Sequence, residues 1–281
     1  MPEALAVTRD ARALLRANAA DWLSVVARRR ARRAYADVPV DTWALETLGG
    51  LADQWRPYPD ARAVVLAKPA IDVFTGVIGS YGKMRAAPHL IVFIADKTTD
   101  FPDQHVGYTG EATVLEATRL GLATCWVGGF FDPRKAARLV TLAPNERVAA
   151  VSPLGYAFGA DGTGATTIAS AIGAYRRKPV SQIAPSVLSR NWPSWAVAAV
   201  ETARLAPSTV NRQPWRFRLE GGGLVVSKDN FLETSRVSKR LDIGIAMLHI
   251  DLAATAHGID GVWTDLHGKD VARFDPIAAE L

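Results

Sequence analysis

The chain repeats itself at half its own length. Shifting it by 137 positions lays Leu115, Ala117, Thr118, Gly121 and Trp126 onto Leu252, Ala254, Thr255, Gly258 and Trp263. That makes five identities in fifteen aligned positions, with the glycine and the tryptophan kept at the same separation. In a chain of 281 residues, such a period is what two copies of one unit joined in tandem would leave. Each unit reads as a helix feeding a strand, and the two units are expected to share one interface.

Hydrophobic spacing supplies the elements around that pair. Leu15, Trp22, Val25 and Val26 mark one helical face over about 10–30. Pro39 then breaks the chain, and Asp41 is placed to cap a second helix running to about Leu51. Strands are expected over 63–67, 90–95, 124–127 and 148–156, with a helix over 107–122 and another opened by Asp132-Pro133. In the second half, helices over 193–205 and 241–257 flank a hairpin (215–219 and 224–228, turning at Gly221-Gly222-Gly223), and a short strand follows near Val262. The stretch 69–87, with Gly76, Gly79 and Gly82, is a long irregular loop of the kind that lines a site. The run GADGTGATT over 159–167 is the clearest compositional break. The expected organisation is therefore a first half over 1–158, a crossover with a basic segment over 159–192, and a second half over 193–281. Helices on the faces of hairpin-containing sheets make the class α+β.

Several function classes drop out. Cys125 is the only cysteine, which excludes an internal disulfide and points to a reducing compartment. No apolar run is long enough to span a bilayer, and the N-terminus lacks the apolar core of a secretion signal, so a cytoplasmic protein without membrane attachment is expected. The sequence has no phosphate-loop pattern and no GxSxG elbow. His89, His105, His249, His257 and His267 have no metal-ligand spacing, so no metal site is expected, and Cys125 reads as a structural thiol. The chemistry must come from a cofactor, or else the protein only binds.

Positive charge is mild overall (33 basic against 28 acidic residues) but local. Arg28, Arg29, Arg30, Arg32 and Arg33 crowd into six positions, and two further clusters cover 176–178 and 236–240. Such clusters either bind an anion or complement the carbonyl end of a helix. A nucleic-acid partner is the weakest reading of the Arg28–Arg33 cluster, because no aromatic residues interleave it.

Four stretches narrow the choice: RRARRAY over 29–35, LGLATCWVGGF over 120–130, PNERVAAVSPLGYA over 144–157, and APSTVNRQPWRF over 206–217. Together they resemble the nitroreductase family of flavin enzymes, from about Trp22 to Gly261. The order is unusual: the PSTVNRQPW segment falls in the second half, far from the arginine segment. That is similar to a nitroreductase subgroup in which one fused chain imitates the whole dimer. The resemblance implies a nitroreductase-like α+β fold of two related halves, with mixed or antiparallel sheets flanked by helices. It further implies one flavin per chain and a monomer imitating a dimer.

Carried over by motif, Arg29 and Arg33 face the pyrimidine edge of FMN and Arg30 reaches its phosphate. Arg177 or Lys178 supplies a second phosphate contact. Arginine suits both tasks because its fork of donors is always charged. Pro207, Ser208, Thr209 and Asn211 form the wall contributed by the opposite half, while Gln213, Pro214 and Trp215 anchor that loop. Gly128 and Gly129 let backbone approach flavin N5. Arg28 and Arg32 are expected to be solvated on an opposite helix face. The family commonly has serine where this chain has Ala31, and a lost hydrogen bond to a charged phosphate costs about 1.5–3 kcal/mol.

The implied activity is FMN-dependent oxidation of NADH or NADPH. Hydride passes through N5, with ping-pong kinetics, to a nitroaromatic, quinone or similar small acceptor. No protein acid or base is assigned, and the acceptor pocket is placed at the 74–81 loop. The alternative is a nitroreductase-like protein that binds and sequesters flavin without turning it over.

Overall fold

The computed structural model describes residues 7–67, 73–74, 87–159, 175–187, 191–232 and 237–277. The first described elements are α1 (Arg9–Val26), α2 (Thr42–Gln54), β1 (Ala61–Leu66), β2 (His89–Asp96), α3 (Pro102–Arg119), β3 (Ala123–Thr124), α4 (Pro133–Ala137) and β4 (Glu146–Gly155). They are followed by α5 (Val180–Ile183), α6 (Ser194–Ala203), β5 (Trp215–Glu220), β6 (Gly223–Lys228), α7 (Lys239–Ala256), β7 (Gly261–Asp265) and β8 (Asp270–Pro276). Two 3-10 turns lie at Pro185–Val187 and Thr209–Asn211.

The sequence repeat is carried by α3 and α7. Both run for 18 residues, and their boundaries are offset by the same 137 positions. Helix α3 opens with Pro102 at its first turn, where a missing N–H costs nothing. In α7 the Ser238 side chain accepts from the Arg240 N–H. The two helices pack directly on each other at the centre of the main core, and α1 and α6 pack against α7.

One four-stranded sheet flanks the helices on each side, in the orders β1-β2-β4-β3 and β5-β6-β8-β7. All pairings between the named strands of the described residues are antiparallel, so neither four-stranded sheet is mixed. In each sheet the second strand also shifts register against its inner neighbour, at Phe93/Ile94 and at Val226/Ser227. Strand β2 is buried along nearly its whole length because a second apolar cluster, including Val73, Phe131 and Ala136, covers its outer face. This is why its sequence, LIVFIA, does not alternate.

Buried polar ties stitch the halves together. His105 on α3 contacts Asp60 through Nδ1 at 2.8 Å and Asp265 of β7 through Nε2 at 2.9 Å, with its ring stacked on Tyr58. Asp251 on α7 collects Arg12 of α1 (2.7 Å), the Tyr108 hydroxyl (2.5 Å) and the Trp263 indole N–H (2.9 Å).

Two local expectations differ from the structure. Asp41 sits at the start of α2 but makes no side-chain cap, because its carboxylate instead accepts from the Tyr156 hydroxyl at 2.9 Å. Helix α1 stops at Val26, so the arginine segment is not helical and Arg28 and Arg32 occupy no helix face. Instead Ala31 bridges Thr124 in parallel, Arg32 N–H donates to Thr124 O, and Tyr35 pairs with Ala157. Backbone pairing with β3 and the end of β4 competes successfully with continuation of the helix.

Candidate functional site

The extended arginine segment and the loop before β5 are brought together by the basic residues 176–178. Arg29 is buried, 4% exposed, and its Nε lies 3.9 Å from Glu111 Oε1 on α3. That Nε makes no hydrogen bond among the described residues. Burial pulls the Arg29 guanidinium below its ordinary value, with Glu111 opposing and Arg30 adding to the fall. Arg30 is exposed, folds back on the Ala27 and Arg29 carbonyls, and stands 5.9 Å over the Tyr175 ring. Arg33 is half-buried near Cys125 and Tyr35. Cys125 is itself buried, and its thiol is pushed up by that burial.

Arg177 reaches across from the other side. Its two terminal nitrogens donate to Asn211 Oδ1 at 2.7 Å and to the Leu205 carbonyl at 3.1 Å. Burial first, then Arg29, Arg30 and Arg204, pull Arg177 down to about 10. These arginines repel one another across a partly desolvated space. Lys178 caps the same loop, its Nζ donating to the Arg212 and Gln213 carbonyls and its N–H to Gln213 Oε1.

The loop carries backbone strain. Val210, Asn211 and Gln213 have φ of 46°, 56° and 47°, all in the left-handed region. For a β-branched residue such as Val210 that conformation is a genuine outlier, with a cost on the order of 1–2 kcal/mol. It survives because the loop is over-determined. Asp242 on α7 accepts from Thr209 N–H (2.9 Å), Thr209 Oγ1 (3.1 Å) and Arg212 Nε (2.6 Å). Ser208 Oγ accepts from Gln213 N–H, and Asn211 Nδ2 donates to the Arg176 carbonyl. Pro207, Gln213, Pro214 and Trp215 are buried beneath it. Outliers held this firmly cluster at functional sites.

Gly128 and Gly129 follow Val127, whose backbone exchanges both hydrogen bonds with Val151. A Cβ on Gly128 would sit 3.0 Å from both methyls of Val237, so its bareness serves close approach of the second half. Of the 74–81 loop only Phe74, bridged to Phe131, is among the described residues. Most of the 159–192 crossover lies outside them as well.

Three participants escaped the sequence reading. Glu111 and His249 are buried on α3 and α7 and contact each other at 3.1 Å, while Trp126 donates its indole N–H to Glu111 Oε2 at 2.7 Å. Asp242, the anchor of the strained loop, is equally buried. The available signal was an acidic residue on the apolar face of each helix, a placement that needs a buried partner.

A family model described as "Putative TM nitroreductase" matches residues 22–254. The chain belongs to this nitroreductase family. A structure described as a putative nitroreductase from Thermotoga maritima is 21% identical, with a TM-score of 0.57 over 90% of this chain and 92% of the other, and so shares the fold. An FMN-dependent nitroreductase from Clostridium difficile (21% identical, TM-score 0.39) matches 48% of this chain and 86% of its own length. A nitroreductase with bound FMN from Bacteroides fragilis (19%, TM-score 0.39) likewise matches 48% and 87%. No curated protein matches the chain significantly. The fold is thus nitroreductase-like α+β, with two antiparallel sheets flanked by helices. No helix among the described residues is long and apolar enough to cross a membrane.

Proposed function

We propose that this nitroreductase-family chain is an FMN-dependent oxidoreductase. It takes electrons from NADH or NADPH and delivers them to a nitroaromatic, quinone or similar small acceptor. The observation that carries the reading is the arginine cluster around buried Arg29, with Arg33 and Arg177 half-buried beside it. The Arg29 Nε faces Glu111 without a hydrogen bond among the described residues, and Arg177 is drawn down to about 10 by burial and by its arginine neighbours. Such a cluster favours an anion, and a phosphate with an electron-rich ring edge answers its donor chemistry. The residues fit FMN on that ground.

FMN, when bound, supplies the hydride chemistry between donor and acceptor. The chain supplies binding, charge and orientation. Arg29 and Arg33 hold the pyrimidine edge, Arg30 and Arg177 the phosphate. Pro207, Ser208, Thr209 and Asn211 wall the site from the second half. Gly128 and Gly129 present backbone to the ring. The first half (1–158), the crossover (159–192) and the second half (193–281) then build one site per chain, a monomer doing the work of a dimer.

Anaerobic mixing with NADPH or NADH tests the reading. Flavin absorbance should bleach and return when a quinone or nitroaromatic is added. A flavin spectrum that persists with both nucleotides would instead mark a sequestering protein. Retention on DNA by a flavin-free protein would return the arginine cluster to nucleic acid.

A further inference from the structure

Glu111 is fully buried on α3 and touches three separate parts of the molecule. Its Oε1 lies 3.9 Å from Arg29 Nε, the inner end of the arginine segment. Its Oε2 accepts the Trp126 indole N–H at 2.7 Å, two residues before Gly128. That indole is stacked on Phe93 at 4.0 Å. The stack needs Gly110, since a Cβ there would lie 2.5 Å from the indole. The third contact crosses to the second half, where His249 Nε2 of α7 stands 3.1 Å from Oε1.

The protonation of His249 follows from its partners. Its Nδ1 faces the Thr202 carbonyl at 3.1 Å, which can only accept. Nδ1 must therefore carry a hydrogen. Nε2 faces a carboxylate, so both contacts are satisfied only when a further proton lies between His249 and Glu111. The pair is then a buried, charge-compensated unit beside Arg29, which has no other carboxylate partner among the described residues.

We propose that Glu111, with His249 as its counter-charge, is the positioning residue of the flavin site: it holds Arg29 and the Trp126–Gly129 turn in register and sets the net charge facing the cofactor's pyrimidine edge. This rests on reading the site as an FMN site. Glu111 does not touch the cofactor; it acts through Arg29. Reduced flavin carries more negative charge than oxidised flavin, so the field at that edge governs the ratio of the two affinities. The two partners must push that ratio in opposite directions. Removing the Glu111 charge leaves Arg29 more strongly positive, and removing His249 leaves the carboxylate to neutralise Arg29 further.

The test is the ratio of affinities for reduced and oxidised FMN, measured anaerobically and checked by the midpoint potential of the bound flavin. For E111Q the ratio should shift about tenfold toward reduced FMN, equivalent to about 30 mV for a two-electron couple. For H249Q it should shift in the opposite sense. Opposite signs are the signature, because loss of packing alone would weaken both redox forms together. E111D, which keeps the charge, should restore the wild-type ratio even where thermal stability falls. If wild-type protein binds FMN but both neutral variants keep the ratio within about twofold, or both shift it the same way, the positioning role is wrong and the site stands. If wild-type protein binds no FMN, the site reading and this inference fall together.

Discussion

Gly107 on α3 and Gly244 on α7 face each other's helix at one crossing, and each is kept bare by the other's backbone. A Cβ on Gly107 would strike the Leu241 carbonyl, and one on Gly244 would strike the Gln104 carbonyl. The two glycines are 137 residues apart, as are Gln104 and Leu241, so the contact is reciprocal under the sequence repeat. A two-fold interface between identical subunits has this form: residue i meets j, and j meets i.

Alanine at either glycine should therefore separate the helices. G107A or G244A is expected to cost about 3 kcal/mol, the upper part of the usual range for overpacking, since rigid backbone cannot yield. Gly49, inside α2 with nothing within 4 Å of its would-be Cβ, is the control. G49A should stabilise by about 0.5–1 kcal/mol. Urea unfolding midpoints check both, and equal effects at the two places would contradict the close-crossing account.

His105 predicts a pH dependence. Burial alone would push it down, but hydrogen bonds and charge from Asp265 and Asp60 outweigh burial and raise it to about 9. A folded-state value above the ordinary 6.5 means the charged imidazole stabilises the fold fully below about 6.5. That contribution, about 3 kcal/mol, fades as pH rises through about 9. Unfolding midpoints between pH 6 and pH 10 should fall for the wild type and stay flatter for H105Q. A wild-type profile that rises over that range would show that His105 is buried neutral.

Arg29 and the strained loop should separate binding from stability. R29Q is expected to weaken FMN by tenfold or more, the loss of a charge-assisted hydrogen bond of about 1.5–3 kcal/mol, by fluorescence-quenching titration. V210G should relieve the left-handed valine, whose side chain is largely exposed. Its thermal midpoint should be unchanged or slightly higher, because relief of strain is offset by added freedom in the unfolded chain. FMN affinity should nonetheless fall. A clear drop in the V210G midpoint would mean that Val210 is not strained in solution.

Asp242 is the third handle on the site. It is buried, its carboxyl is raised by that burial, and Arg212 and Thr209 work against the rise. D242A strands Arg212 Nε and the Thr209 N–H, and removing one partner of a buried pair typically costs about 3–5 kcal/mol. D242N, which keeps the shape, should cost less and still slow FMN binding. Stopped-flow association rates at matched protein concentration distinguish the two variants.

The central helices were legible from their amphipathic apolar spacing and from the repeat at 137 positions. Strands β2 and β4 were legible as dense apolar runs, and the hairpin β5–β6 by its three glycines. Strand β8 was not. Its sequence, DVARFDP, spreads apolar residues thinly among charged ones, and only pairing with β6 and β7 makes it a strand. The arginine segment is legible as a motif, but its local pattern reads as a continuation of α1, because local propensity cannot anticipate backbone pairing to Thr124 and Ala157. Glu111, Asp242 and His249 were invisible as site residues for a related reason. Each acquires its meaning from a partner thirty or more residues away in the chain.

The most direct test of one flavin site built from both halves is the stoichiometry of FMN binding to purified protein, titrated with absorbance and light scattering recorded together. The account predicts one FMN per chain on a monomer, with an oxidised-flavin spectrum perturbed relative to free FMN. Two flavins per chain, or binding that requires a dimer, would contradict the division of labour between halves. No binding at all would contradict the flavin site itself.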